Sequence, residues 1–306
     1  MYIVCLIMSG RRRLCMSSKD RVLDFLEKNK EDYISGEFMA ESLGLSRTAV
    51  WKAIKELRNQ GYVIEASSKK GYILGTSNDI ISESGIIAEL STYSGNGASG
   101  KKEKIYNAIL SAEGMIHIHE TLDSTNKAAK EQAIAGATGG TLVIAKSQTL
   151  GKGRREHEFF SPEGGIYMSI ILTPEMLPSL EPDVITALAG VSVCEAVQDL
   201  CGIVPKIKPV NDLFVDGKKI CGILTESGTE FDTGTVQWIV IGIGINFDSD
   251  INEFPKELQS IAGSLFEPGK SSVTKNRLIA AIICNLSRLG TESTKEVLKA
   301  YNDRLI

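Results

Sequence analysis

The sequence predicts an α+β chain in two parts. A winged helix-turn-helix pattern covers residues 17–75, and a mixed or antiparallel sheet domain covers 105–306, with a linker at 76–104. Three observations predict this. Helix-period apolar spacing around a glycine turn fills the first part. A small, polar, Gly-rich run, 91–100, follows it. Beyond Met115, strands mix with helices in no regular βαβ rhythm, which favours an α+β sheet over a doubly wound one.

A length of 306 residues allows two domains with real cores. The net charge of −4 excludes polyanion binding by overall charge, so any nucleic-acid contact must come from a local basic patch. No apolar run reads as reaching the ~18 residues of a membrane helix, so no membrane partner is expected. Residues 1–16 read as an N-terminal extension, with Met16 as an alternative start. The apolar Met1 to Met8 run precedes Arg11, Arg12 and Arg13, the reverse of a signal peptide. The six cysteines form no C-x-x-C pair and read as free thiols of a reducing cytoplasm. His117 and His119 share one strand face, but no Cys, Asp or Glu with ligand spacing joins them, so no protein-only metal site is expected.

In the first part, Ser17 or Ser18 caps a helix carrying Val22, Leu23, Phe25 and Leu26. Ser35 caps a second helix with Phe38, Met39 and Leu43 inward, and Gly44 makes the tight turn. Ser46 caps a third helix, where Val50, Ile54 and Leu57 recur at helical spacing. Strands at 62–65 and 71–74 form the wing. The third helix exposes Arg47, Lys52, Lys55 and Arg58 against one acid, Glu56. Such a helix suits a DNA major groove. Arg47, Thr48, Lys52 and Lys55 then face it, Ser35 and Ser46 sit at helix starts, and Lys69 and Lys70 grip the backbone from the wing. A helical domain that pairs with protein is the alternative.

In the second part, MIHIHE from Met115 alternates as a strand, and a helix runs from about Ser124 to Ala135. Strands follow at 141–145, 166–172 and 238–247, a helix at 182–200, a hairpin about Asp216-Gly217, and a last helix from Thr274. The loop Gly151-Lys152-Gly153-Arg154-Arg155-Glu156-His157 puts three cations within four residues, with two glycines, between strands. Glycines let backbone amides approach an anion, and the cations add charge. It is neither a Walker nor a Rossmann motif; a solvated charged turn is the alternative. Ser124-Thr125-Asn126, Gln148, Lys208 with Asn211-Asp212, Lys218-Lys219 before Cys221-Gly222, and Gly242-Ile243-Gly244-Ile245-Asn246 complete the set.

Taken in order, these motifs resemble the bifunctional biotin–protein ligase and biotin-operon repressor family over residues 18–304. The resemblance implies that biotin and ATP give biotinyl-5′-AMP, and that a lysine of biotin carboxyl carrier protein then takes the biotin. It implies Mg2+ with the nucleotide, biotinyl-5′-AMP as corepressor, a homodimer when liganded and operator DNA as partner. Ser124, Thr125, Asn126, Gln148, Lys152, Gly153, Arg154 and Lys208 are then the expected biotin-binding residues. Gly151, Lys152, Arg154, Arg155, Asn211 and Asn246 are expected on ATP and its phosphates, and Arg154 and Lys208 are the expected catalytic pair.

The chain departs from the family at three places. The usual Lys-Trp-Pro-Asn-Asp is Lys208-Pro209-Val210-Asn211-Asp212, which leaves Lys206 as an alternative register. Lys152 stands where arginine is usual, and Glu156 and His157 replace Gly and Arg. The family normally continues past the Ile306 position into a small SH3-like domain. The alternatives are a biotin-sensing regulator with weak or lost ligation, and a lipoate-type ligase of the same fold.

Overall fold

The computed structural model describes residues 16–30, 32–75, 78–94, 104–111, 115–154 and 157–306. They form two compact units dividing between Thr92 and Tyr93.

The first unit holds α1 (Ser18–Glu27), α2 (Gly36–Leu43), α3 (Arg47–Asn59), and the hairpin of β1 (Ile64–Ser67) and β2 (Gly71–Leu74). Ser17, Ser35 and Ser46 each accept a first-turn N–H of the helix they precede. Gly44 ends α2 in the left-handed conformation, φ 60°, where a β-carbon would be strained. Val22, Leu26, Met39, Leu43, Val50, Ile54, Leu57 and Leu74 form the core. Phe38 corrects the inward reading. It is 58% exposed and meets the Phe25 ring in a T-shaped contact, because Met39 and Leu43 take the inward face of this two-turn helix.

This unit runs past residue 75. The Asn78 amide brackets Val63, accepting from its N–H at 2.6 Å and donating to its carbonyl at 2.9 Å. α4 (Glu83–Ser94) follows, with Ile86 and Leu90 buried and Glu89 paired to Lys30. The stretch 76–104 is therefore not one continuous connector. Apolar residues at helical spacing make 83–94 helical although its last residues are small and polar.

The second unit holds α5 (Lys104–Ser111), β3 (Ile116–Leu122), α6 (Thr125–Ile134), β4 (Leu142–Gln148), β5 (Ile166–Leu172), α7 (Pro182–Cys201), β6 (Lys206–Lys208), β7 (Asp212–Val215), β8 (Lys218–Thr229) and β9 (Val236–Ile245). α8 (Lys256–Gln259), α9 (Lys275–Leu289) and α10 (Thr294–Asn302) complete it. The seven strands run in the order β3-β4-β5-β9-β8-β7-β6. β3 and β4 are parallel around α6, and every other pair is antiparallel. Thr274 caps α9 as expected, but α10 follows with a Ser293/Glu296 capping box, so α9 is not the last helix.

Alternation divides the sheet. α6 packs Ala129 and Ala133 against Val143, Ile171 and Val240 on one face. On the other, α7 brings Gly190 against Ile207 and Ile223. α7 corrects the membrane reading: its 20 residues are long and apolar enough to cross a bilayer by composition, yet most are buried inside this unit. At the far edge the chain's last residues close on β6. Ile207 N–H donates to Arg304 O (2.9 Å), Ile306 N–H donates to Ile207 O (3.0 Å), and Tyr301 OH donates to Val210 O (3.1 Å).

Candidate functional site

The α6 face of the sheet carries a cavity of about 220 Å³. Three local structures build it. Ser124 ends β3's run and caps α6, which points the first turn of that helix at β9. The long loop after β4 forms one wall. Glycines on β8 and β9 hold the floor low enough for side chains to lie across it.

The floor is a connected polar network. Thr125 N–H donates to Gln148 Oε1 (2.8 Å), and Gln148 Nε2 donates to Ser161 Oγ (2.9 Å). Ser169 Oγ lies 2.8 Å from Thr125 Oγ1 and donates to Asn126 Oδ1 at 2.6 Å. Asn126 Nδ2 donates to Leu224 O (3.2 Å) and to Glu226 Oε2 (2.9 Å), and Lys130 Nζ pairs with Glu226 Oε1 at 2.7 Å. Thr125, Asn126 and Ser169 are all buried, so each needs these partners.

The loop is rooted by a short ladder. Gln148 N–H donates to Ser161 O, Phe159 N–H to Gly151 O, and Gly153 N–H to His157 O. A β-carbon on Gly151 would stand 2.3 Å from Phe159 O, so only glycine fits that root. The Phe159 ring then crosses the floor over Gly222 and Gly244, and Lys219 Nζ lies 5.7 Å above it. Tyr167, edge-on to Phe159, donates to Pro162 O at 2.7 Å; burial pushes its phenol well up, so it stays a neutral donor.

Ser124, Thr125, Asn126, Gln148, Lys152, Gly153, Arg154 and Asn211 all line this one cavity. Gly151 stands at the loop root beside it. Arg155 lies outside the described residues. Two expected residues stand elsewhere. Asn246 is buried and donates to Gly263 O at 2.8 Å, holding the chain after β9. Lys208 is exposed beyond the lining, its ammonium 5.5 Å over the Phe214 ring, because β6 alternates and turns Ile207 inward. Lys219 lines the wall instead of Lys208, alongside Lys152, and is paired with Asp212 at 2.7 Å. The motif reading included Lys219 only as a hairpin residue. Phe159, Ser169 and Glu226 carried no signal at all, since each depends on strands distant in sequence.

In the first unit Arg47, Thr48, Lys52 and Lys55 lie on the exposed face of α3, with Ser35 and Ser46 spent as caps. Trp51 stands among them, 52% exposed, with Lys55 Nζ 5.5 Å over its ring. Lys69 is exposed on the wing, and Lys70 lies over the Tyr33 ring. Among the described residues no group of three His, Cys, Asp or Glu side chains is gathered for a metal ion.

Residues 118–246 match the biotin/lipoate A/B protein ligase family, and residues 19–73 match an HTH domain. The bifunctional ligase/repressor BirA of Bacillus subtilis (strain 168) is 38% identical over 263 residues, covering 86% of this chain and 75% of that protein. The protein of the same name from Escherichia coli (strain K12) is 29% identical over 216 residues, 70% of this chain and 60% of its own. The biotin protein ligase of Aquifex aeolicus, solved with biotin and ATP, superposes with a TM-score of 0.53 at 29% identity, over 62% of this chain and 78% of that one. The Leishmania major biotin protein ligase, at 24% identity and TM-score 0.53, shares the fold over 64% and 83%. A shared fold, a shared order of motifs and a relative this similar over most of both lengths place the chain in the bifunctional BirA ligase/repressor family.

Proposed function

We propose that the chain is an ATP-dependent biotin–protein ligase that also acts as a biotin-responsive repressor. The observation that carries this is one cavity holding two chemistries. Its floor is neutral and polar, with Thr125, Asn126 and Gln148, and its wall is cationic, with Lys152 and Arg154. The floor suits the ureido head of biotin. The wall suits a carboxylate meeting a triphosphate, two anions that repel unless neutralised.

In the first step a biotin carboxylate oxygen attacks the α-phosphorus of ATP. The new O–P bond forms as the bond to the β-phosphate oxygen breaks, and pyrophosphate leaves. Arg154 and Lys152 offset the charge on the phosphates. Lys208 has no carboxylate partner among the described residues, and we assign it to the biotin carboxylate from the rim of the Asn211-Asp212 wall. In the second step the amine of a carrier-protein lysine attacks the acyl carbon, AMP leaves, and the amine loses a proton. Magnesium would reach this site on the nucleotide's phosphates. We assign DNA reading to the α3 face with the wing, working as a ligand-favoured homodimer on an operator with two half-sites, in the cytoplasm.

Radiolabelled pyrophosphate exchange tests the enzyme. Biotin with ATP should support exchange and lipoate should not; exchange with neither, or with lipoate alone, rejects the reading. The position of Lys208 outside the lining favours a second reading, a biotin-sensing regulator that no longer ligates. It requires calorimetric biotin binding without exchange.

A further inference from the structure

The floor network has a direction, and Glu226 sets it. Both acceptors facing Asn126 Nδ2, the Glu226 carboxylate at 2.9 Å and Leu224 O at 3.2 Å, can only accept. The amide nitrogen must therefore face them, and Oδ1 must face Ser169, 2.6 Å away. Ser169 has one hydroxyl proton. Asn126 Oδ1 takes it, so the 2.8 Å contact between the Ser169 and Thr125 hydroxyls needs the Thr125 proton, whose other acceptor, Gln148 Oε1, lies farther off at 3.2 Å and already accepts from Thr125 N–H. Every proton in the row Thr125, Ser169, Asn126 then points toward Glu226. What remains for a ligand at Thr125 and Asn126 is lone pairs.

We propose that Glu226, held by Lys130, is a positioning residue that makes this part of the cavity floor an acceptor surface, selecting a head group that carries N–H donors. The proposal rests on the ligase reading and deepens it. It separates a cyclic urea, which has two N–H groups, from a dithiolane, which has none. Glu226 touches no ligand atom in this account; it acts through the orientation of Asn126.

Lys130 makes the idea testable, because an ammonium can only donate. In Glu226→Gln the new amide must give its oxygen to Lys130 and turn its nitrogen toward Asn126. That sets the glutamine nitrogen against the Asn126 nitrogen, which Leu224 O still holds, so the bond that orders the row is replaced by a clash of two donors. Adding Lys130→Met frees the glutamine oxygen to face Asn126 again. In pyrophosphate exchange, Glu226→Gln should raise the KM for biotin about tenfold to hundredfold, the range for an unmatched buried bond, with kcat and the KM for ATP within about threefold. Lys130→Met together with Glu226→Gln should recover most of the biotin KM. A merely structural role predicts no such recovery, and a loss that the double variant does not repair overturns the proposal, as does an unchanged biotin KM. The Asn126 side-chain amide resonances in the ligand-free protein, assigned by their loss in Asn126→Asp, should move in Glu226→Gln and return in the double variant. Their indifference overturns the proposal even if the wild-type chain shows no biotin-dependent exchange, an outcome that would reject the ligase reading alone.

Discussion

Gly242 lies so close beneath Asn126 that a methyl group on it would stand 1.9 Å from Asn126 Oδ1. Neither partner can move far, since Gly242 is in the middle of β9 and Asn126 is bonded on both sides of its amide. Gly242→Ala should cost about 1–3 kcal/mol of stability, as overpacking does, and at least about tenfold in biotin affinity. Differential scanning calorimetry and biotin titration check it. Undiminished affinity would mean the floor is not where the ligand head sits.

Arg154→Ala should lower adenylate formation by ~10²-fold or more, the effect of removing a preorganised group that meets developing charge. Biotin binding alone should fall far less, and the melting temperature should hold, because Arg154 lies on a loop and contributes no core. Single-turnover adenylation against equilibrium biotin binding separates the two. Wild-type adenylation rates would remove the loop from the chemistry.

Three lysines on the strands from β6 to β8 are distinguishable. Lys206 and Lys208 share one face of β6, and Lys219 lines the wall beside Asp212. Lys208→Ala and Lys219→Ala should each reduce pyrophosphate exchange, while Lys206→Ala should stay within about twofold. Loss in Lys206→Ala with none in Lys208→Ala would mean that the alternative register is the working one.

Arg47→Ala or Lys52→Ala should abolish specific operator binding and leave adenylation unchanged. Binding to random DNA should weaken too, with a shallower dependence on salt as phosphate contacts are lost. Sedimentation should shift toward dimer when biotinyl-5′-AMP or a stable analogue is added, since a ligand that favours the dimer must also be bound better by it. Sedimentation that ignores the adenylate, with equal affinity for operator and random DNA, would sink the repressor half.

His117 gives the second unit a pH slope. Burial, and then the neighbouring His119, hold its imidazole below the usual histidine range. The unfolded chain takes up this proton near ~6.5, the folded chain only lower. Between the two values the unfolded state binds more protons, so stability falls as pH drops through that window and is whole above it. Denaturant titrations read by Trp238 in a Trp51→Phe chain should show the slope, and His117→Gln should flatten it.

Much of this was legible locally. Serine caps, the Gly44 turn, the Asp216-Gly217 hairpin and the 166–172 strand follow from residues within a few positions of one another. Part of the cavity's floor and its cationic wall were legible too, since Ser124 to Asn126 and the 151–157 loop are continuous runs. What escaped was set by pairing at long range. Glu226 reaches Asn126 across 100 positions, through a register that no local pattern carries. Lys208 turns outward because Ile207 between it and Lys206 is claimed by the core. Phe38 turned outward for the converse reason: its two-turn helix had already filled its inner face.

The clasp between β6 and the last residues bears on when the site is finished. Ile207 is bonded to Arg304 and Ile306, and Val210 to Tyr301, so the strand leading to Asn211 is tied down by residues nearly a hundred positions later. Contacts of such separation form slowly, because a long loop must close before they reward it. On the ribosome, where a chain emerges from its N-terminus, the first unit and the early strands can settle while β6 still lacks its clasp. The cavity is therefore finished well after the first unit, once the residues that clasp β6 have emerged. A nascent chain can own a DNA-reading head before it owns a place for the ligand that governs it.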